Sequence, residues 1–370
     1  MYTQPNFDLA VIGAGPAGTS AAITAARAGA SVLLLERGKL PRQRVCGEFV
    51  SAESLSLLGD LLNTSELLDH ALRIPEARLF FDGHVVATPV EPQAASIARL
   101  DLDIALWNSA NHTGVAAKLH TSVEKVAGSG PFTLVTSIGT FGARAVINAT
   151  GRWSNLLTQS ASKPDNEKNS RWLGVKAHFA ESEPHSSVDL YFFEGGYCGV
   201  QPVRLTTTDS TEGRVNACAM VRSAVARSLS EVFSMHAALK ERSENWQPLG
   251  DSVTTSPLIF REPNPVQNAV LLAGDSAGFV DPFVGDGISL ALRSGALAAQ
   301  SLIPFFQNHS SLEQAATQYA SAYRNHLLPV FRNSSRIRRL LNLPRPIRRS
   351  VGHLLEATPA VSRLLVRWTR

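Results

Sequence analysis

Apolar and polar positions change their rhythm several times along this chain. Residues 7–12 form a run that is apolar but for Asp8, which over six residues suits a strand covered on both faces. Glycine-rich sequence follows at 13–18, then an alanine-rich stretch to Gly29, then a second apolar run at 31–35 closed by Glu36. That succession predicts strand, turn, helix and strand. Leucines at 55, 57, 58, 61 and 62 share one side of a short helix over 51–62. Two strand-like runs, 77–81 and 84–88, meet at Asp82-Gly83 and predict a hairpin. Helical spacing returns from 97 to 114, and residues 115–119, 123–126, 132–136 and 143–149 read as strands.

From 172 to 261 the texture shifts to strand-like runs separated by Gly, Ser and Thr, which predicts a largely antiparallel second lobe interrupted by a helix over 228–244. The first texture then resumes. Residues 269–275 read as a buried strand, followed by a glycine-rich turn and an alanine-rich helix to 302. The predicted division is therefore a discontinuous first lobe (1–75, 93–171 and 262–305), a second lobe (76–92 and 172–261) and a helical C-terminal region (306–370).

Composition adds bounds. With 44% hydrophobic and 18% charged residues, 370 residues build a globular body of two lobes. Three scattered cysteines make neither a disulfide framework nor a zinc site, and ten histidines show no metal-ligand spacing, so no metal is expected. The N-terminus lacks the pattern of a secretory leader, and the chain holds no apolar run long enough to span a bilayer, so a cytoplasmic location is expected. Charge is unevenly placed. Residues 324–370 hold eleven arginines, no lysine and one acid, Glu356, while the remainder has more acidic than basic residues.

The first forty residues carry the clearest chemistry. Gly13 permits a tight turn, Gly15 lets backbone approach a pyrophosphate, and Gly18 lets the helix lie close to the sheet. The helix beginning near Ala17 directs N–H groups and the positive end of its dipole at phosphate, and Glu36 stands where a carboxylate accepts from an adenosine ribose. Near the other end of the lobe, Asp275 closes an apolar strand before a glycine-rich turn. It reads either as a ligand for polyol hydroxyls or as a helix N-cap.

Four motifs occur in order: Gly13-x-Gly15-x-x-Gly18 with Glu36; Arg99-x-x-Leu102-Asp103-x-x-Leu106; Thr150-Gly151-x-x-Ser154; and Gly274-Asp275-x-Ala277-Gly278-x-x-x-Pro282-x-x-Gly285-x-Gly287. On these the chain resembles the flavoprotein monooxygenase and geranylgeranyl reductase superfamily, built on the p-hydroxybenzoate hydroxylase fold. The resemblance spans roughly residues 7–305 and implies an α/β protein: a Rossmann-like FAD-binding domain, an antiparallel β-sheet substrate domain and a helical C-terminus. It implies FAD, with Gly13, Gly15, Pro16, Ala17 and Gly18 at the pyrophosphate, Glu36 at the adenosine ribose, and Arg37 among the cofactor-binding residues. Arg44, Arg99 and Asp275 then serve the ribityl and pyrophosphate groups, and Pro282, Gly285, Asp286, Gly287 and Ile288 lie by the ring. Cys46, Gly47, Val126 and Gly151 complete the expected cofactor contacts.

Pro41-x-x-Arg44-x-Cys46-Gly47 and Gly195-Gly196-Tyr197-x-x-x-x-Pro202 are most similar to the geranylgeranyl reductase branch, which implies substrate contacts at Tyr197, Gln201 and Pro202. The sequence departs from that branch with Gly199 in place of Trp and Gln201 in place of Phe. The expected activity is FAD-dependent reduction of carbon–carbon double bonds in a lipophilic substrate. Alternatives are hydroxylation of an aromatic or polyketide lipid, and a non-catalytic redox sensor at the membrane. No second complete GxGxxG unit is present, so the reductant is NAD(P)H docking transiently or a protein donor.

Cys46, the one catalytic candidate, has two readings: a thiol activated by Arg42 and Arg44, or a small buried filler. Glu48 is read as a solvated loop acid, with a proton relay beside the ring as the alternative. The arginine-rich tail reads either as a segment for an anionic membrane surface, placing the protein on the inner face, or as a helical cap; nucleic acid is not an expected partner.

Overall fold

The computed structural model describes residues 6–152, 171–206, 213–258, 260, 262–279 and 285–341, with side chains to Ser334. In the first part of the chain the elements are β1 (Phe7–Ile12), α1 (Pro16–Arg27), β2 (Val32–Leu35), β3 (Phe49–Val50), α2 (Leu55–Leu61), α3 (Glu66–Asp69), β4 (Leu72–Phe81) and β5 (His84–Ser96). Next come α4 (Arg99–His112), β6 (Ala116–Lys118), β7 (Val123–Ala127), β8 (Phe132–Thr136) and β9 (Gly139–Asn148). The second half holds β10 (Trp172–Ala180), β11 (Ser187–Phe193), β12 (Gly196–Pro202), β13 (Arg214–Arg222), α5 (Leu229–Ser234), α6 (Ala237–Ser243), β14 (Gln247–Pro248) and β15 (Val253–Leu258). It closes with β16 (Val266–Gln267), β17 (Val270–Leu272), α7 (Gly287–Phe306), α8 (Leu312–His326) and α9 (Leu328–Leu341).

The first sheet runs β16-β17-β9-β1-β2-β6, parallel from β17 to β6, with β7 and β8 extending it antiparallel from β9. The apolar runs sit where continuous hydrophobicity predicts, since Leu9, Ala10, Val11 and β2 are covered on both faces. Helix α1 packs against α4 and α7 through small residues. The contact is close enough that a Cβ on Gly295 would fall 2.0 Å from the Ala17 carbonyl oxygen. Ser20 Oγ, on the same face, donates to the Leu292 carbonyl at 2.8 Å.

The second sheet runs β14-β10-β13-β12-β11-β4-β5-β3, with β15 also on β10. It is antiparallel except where β11 lies parallel to β4. The hairpin at Asp82-Gly83 is longer than expected, and both turn residues have positive φ (47° and 90°), the signature of a type I′ turn. The helix expected over 228–244 is two helices, broken at Met235-His236. The alternation of β10 and β13 sends Leu173, Val175, Ala177, Val215, Ala217, Ala219 and Val221 into a core with Leu229, Val232 and Leu239 of α5 and α6. The opposite face looks toward the first lobe.

Candidate active site

The glycine turn is built as its sequence requires. Gly13 has φ +99°, and a Cβ there would fall 2.5 Å from the Ala149 carbonyl oxygen; a Cβ on Gly18 would fall 1.8 Å from the Gly13 carbonyl oxygen. Both positions are closed by the protein itself. Gly15 differs, because a Cβ there meets nothing within 4 Å. Helix α1 starts beside that space with Pro16 at its first turn, no side-chain cap and no acid in the first turn, so its N–H groups and dipole are open to an anion. Glu36 ends β2 and accepts from Ala14 N at 3.0 Å, Gly38 N at 2.8 Å and Arg42 Nη2 at 3.3 Å, which ties the second strand to the turn.

The distant motifs converge on this turn. Ala149 follows β9, Gly151 N donates to Ser276 Oγ at 2.8 Å, and a Cβ on Gly274 would lie 2.9 Å from the Ala17 Cβ. Asp275 caps no helix: its turn begins after Ala273, and its carboxylate meets Arg152 Nε at 3.5 Å. Enclosure by the cleft walls raises the Asp275 carboxyl above its ordinary range, while Arg152 and then Arg99 act against that rise. Arg152 also covers the Phe279 ring at 4.3 Å. Farther on, Gly285 packs on Phe49, Ser289 Oγ lies 2.7 Å from Ser51 Oγ, and α7 begins with open space at Gly287. Asp286 and Ile288 are buried at that helix start. Pro282 and Ser154 lie outside the described residues. Arg37, next to Glu36, is exposed, and Val126 packs on the first-lobe core from β7.

Four arginines, Arg42, Arg44, Arg99 and Arg152, face the same region. Arg99 is clamped by both oxygens of buried Asp103 (2.9 Å each to Nη2), and its guanidinium faces the Cys46 thiol. Arg44 is drawn down to about 10 by burial, then by repulsion from Arg42 and Arg99, and remains a cation at neutral pH. The Nε groups of Arg42 and Arg44 and Nη1 of Arg152 are buried donors without a partner among the described residues. Such donors ordinarily find an acceptor.

Two expectations about the loop 41–48 are corrected here. Arg42 and Arg44 do not turn Cys46 into a thiolate: burial pushes its thiol up, and the cation acting against that rise is Arg99. Glu48 is no solvated acid either. It is fully buried with φ +64°, and its carboxylate takes Lys176 Nζ at 3.0 Å, His178 Nε2 at 2.7 Å and Arg99 N at 3.0 Å. Burial opposes the charge, but His178 and Lys176 more than offset it and hold the carboxyl down at about 2.

Lys176 and His178 belong to the inward face of the second sheet, which has two halves. One is polar: Lys176, His178, Asn216 and Gln201, the last donating from Nε2 to Ser96 Oγ at 2.7 Å. The other is apolar, with Tyr197, Met220 and Leu258 buried against Trp172, Leu190, Phe192, Phe260 and Phe279. Tyr197 and Gln201 share this face, whereas strand alternation turns Pro202 to the opposite one.

With this geometry in view, the comparisons are specific. A family model described as FAD dependent oxidoreductase matches residues 8–151. The chain is similar to a menaquinone reductase of Mycolicibacterium smegmatis (26% identity over 368 residues, 91% of this chain and 85% of the relative). It is also similar to a digeranylgeranylglycerophospholipid reductase of Methanopyrus kandleri (27% over 325 residues, 80% and 76%). This chain is an FAD-dependent oxidoreductase. Solved structures agree on its fold. A flavin-dependent brominase gives a TM-score of 0.79 at 20% identity, covering 98% of this chain and 93% of that one. A geranylgeranyl bacteriochlorophyll reductase-like protein from Thermoplasma acidophilum gives 0.76 at 19%, covering 98% and 95%.

The oxidoreductase's own residues fit the coenzyme. Unpartnered buried guanidinium donors, the open N-terminus of α1 and glycine positions that no protein atom fills are what a pyrophosphate and polyol chain need. Sequence reasoning missed Lys176, His178, Asn216 and Arg152. The first two were legible as basic residues two apart in a strand whose other face is wholly apolar, which demands an acid opposite.

Proposed function

We propose that this oxidoreductase reduces carbon–carbon double bonds in the isoprenoid chain of a lipid, with FAD seated between the two lobes. The observation that carries this reading is the apolar half of the second sheet's inward face, which ends at Phe279, four residues beyond Asp275. A long hydrocarbon chain finds there a wall of aromatic and aliphatic side chains. The similar reductases act, by name, on menaquinone and on digeranylgeranylglycerophospholipid, and both molecules carry polyprenyl chains. Where the resembling branch has Trp, Gly199 leaves room that Leu190 occupies, with its Cδ2 3.3 Å from where a Cβ would stand.

When bound and reduced by its donor, FAD would supply a hydride to one carbon of the double bond and return to the oxidised state, with a proton completing the other carbon. The residues of this chain do the holding. Gly13 to Gly18 and the start of α1 would take the pyrophosphate, Glu36 the adenosine ribose, and Arg44, Arg99 and Asp275 the ribityl-pyrophosphate portion. The start of α7, from Gly285 to Ile288, would face the ring and favour negative charge on it. Cys46 would stand beside the ring as a neutral thiol. The reductant is NAD(P)H or a protein donor that docks transiently, and the arginine-rich tail would bring the body to an anionic membrane where such lipids reside.

The test is anaerobic turnover: dithionite-reduced holoenzyme mixed with vesicles carrying a geranylgeranyl lipid or menaquinone, followed by lipid mass analysis. The reading expects two added hydrogens per double bond as the flavin reoxidises. No lipid change, or oxygen gained by the lipid when air is admitted, overturns it.

A further inference from the structure

Residues 43–48 leave the first lobe and are moored, one after another, on the second. Gln43 Oε1 accepts from Lys176 Nζ at 2.7 Å, and Val45 packs where a Cβ on Gly174 would fall, 2.8 Å from its Cγ1. The Cys46 and Gly47 carbonyls accept from Asn216 Nδ2 at 3.0 and 2.8 Å. Glu48 joins everything: its carboxylate takes Lys176 and His178 from β10 and the first N–H of α4, while its own carbonyl accepts from Ile97 N at 2.9 Å. Its N–H points to Cys46 Sγ at 3.3 Å. A buried carboxylate with this many donors is far more than a fold needs to cover a loop, and a non-glycine residue at φ +64° persists only where its surroundings hold it.

We propose that Glu48 is the positioning residue of the redox centre, a clasp between the lobes that fixes the Cys46 thiol against the Arg99 guanidinium and so sets the reactivity of that thiol. The proposal rests on the reading that FAD lies beside Cys46. The groups facing that thiol are Arg99 from α4, Glu48 from its own loop and Cys218 from β13. Burial comes first in opposing the thiolate; Arg99 and then the Glu48 N–H favour it, and the Glu48 carboxylate sides with burial. Glu48 therefore acts twice: it holds the loop in place, and its carboxylate adds to burial in keeping Cys46 protonated beside a guanidinium that pulls the other way.

The experiment is residue-resolved alkylation by iodoacetamide, read by peptide mass spectrometry across a pH series, on holoenzyme and on flavin-stripped protein. In E48Q the Cys46 rate should rise about tenfold near neutral pH and its pH profile should move to lower pH. Buried Cys198 should be unchanged. A folded E48Q whose Cys46 rate stays within about twofold and whose profile does not move overturns the proposal. So does a parallel rise at Cys198, which would signify general loosening. If the single substitution prevents folding, E48L/K176M, which removes both charges and keeps the core filled, decides by the same two readouts. Because alkylation of flavin-stripped protein needs no bound FAD, failure of the clasp is separable from failure of the flavin reading.

Discussion

At the scale of single residues, three glycines of one turn do different work. A methyl at Gly18 collides with the Gly13 carbonyl, and Gly13 holds a positive φ, so both are set by the protein. Gly15 is set by something the protein leaves room for. Gly18→Ala is therefore expected to lower stability by about 1–3 kcal/mol or more, measured by chemical denaturation. Gly15→Val should leave the unfolding midpoint of flavin-free protein near that of the parent while abolishing retention of yellow flavin. Flavin retained by Gly15→Val would remove the pyrophosphate from this position. Glu48 makes a pH prediction. Its carboxyl is held at about 2 against an ordinary 4.5, so between those values the unfolded chain binds more protons and unfolding free energy rises with pH. On the order of 3 kcal/mol is present above pH 4.5 and lost as pH falls toward 2. Denaturation curves of parent and E48Q should converge across that window, and parallel curves would contradict the assigned ion cluster.

At the scale of elements, the inward face of the second sheet is a strip with a polar end and an apolar end, sorted by strand register. Tyr197→Ala should raise KM for a polyprenyl lipid about tenfold while flavin content and anaerobic flavin reduction stay at parent levels. Equal KM values would take Tyr197 out of the substrate wall. This is also the scale at which the sequence reads best and worst. The β1–α1–β2 unit is legible to within two residues because its strands are covered on both faces and its turn allows few residue types. The order of the four motifs gives the coenzyme cleft. Where pairing is non-local, legibility fails: nothing near Glu48 announces that β10 will deliver Lys176 and His178 to it, because that contact spans about 130 positions of chain. Cys46 misleads for a related reason. Its neighbours in sequence are arginines, but its environment in space is burial plus Arg99.

At the scale of the whole molecule, two sheets of different character meet across a cleft, and α7 and α8 close the first lobe behind it. Helix α7 is long and apolar enough to cross a membrane, yet most of it is buried, packed against α1. The beginning of α9 belongs to the body as well, with Val330 and Phe331 in the first-lobe core after Leu327. A truncation that tests the tail must spare them. Removing residues 342–370 should preserve flavin content and the thermal midpoint while abolishing sedimentation with anionic liposomes. Unchanged sedimentation would assign those arginines another role.

All of these expectations assume one coenzyme gathered by residues from both ends of the first lobe. The visible spectrum of the purified protein examines that assumption directly. The account predicts the two absorption bands of oxidised flavin, released on denaturation as FAD in one equivalent per chain, and their loss in Asp275→Ala. A colourless protein that takes up no FAD on reconstitution would contradict it.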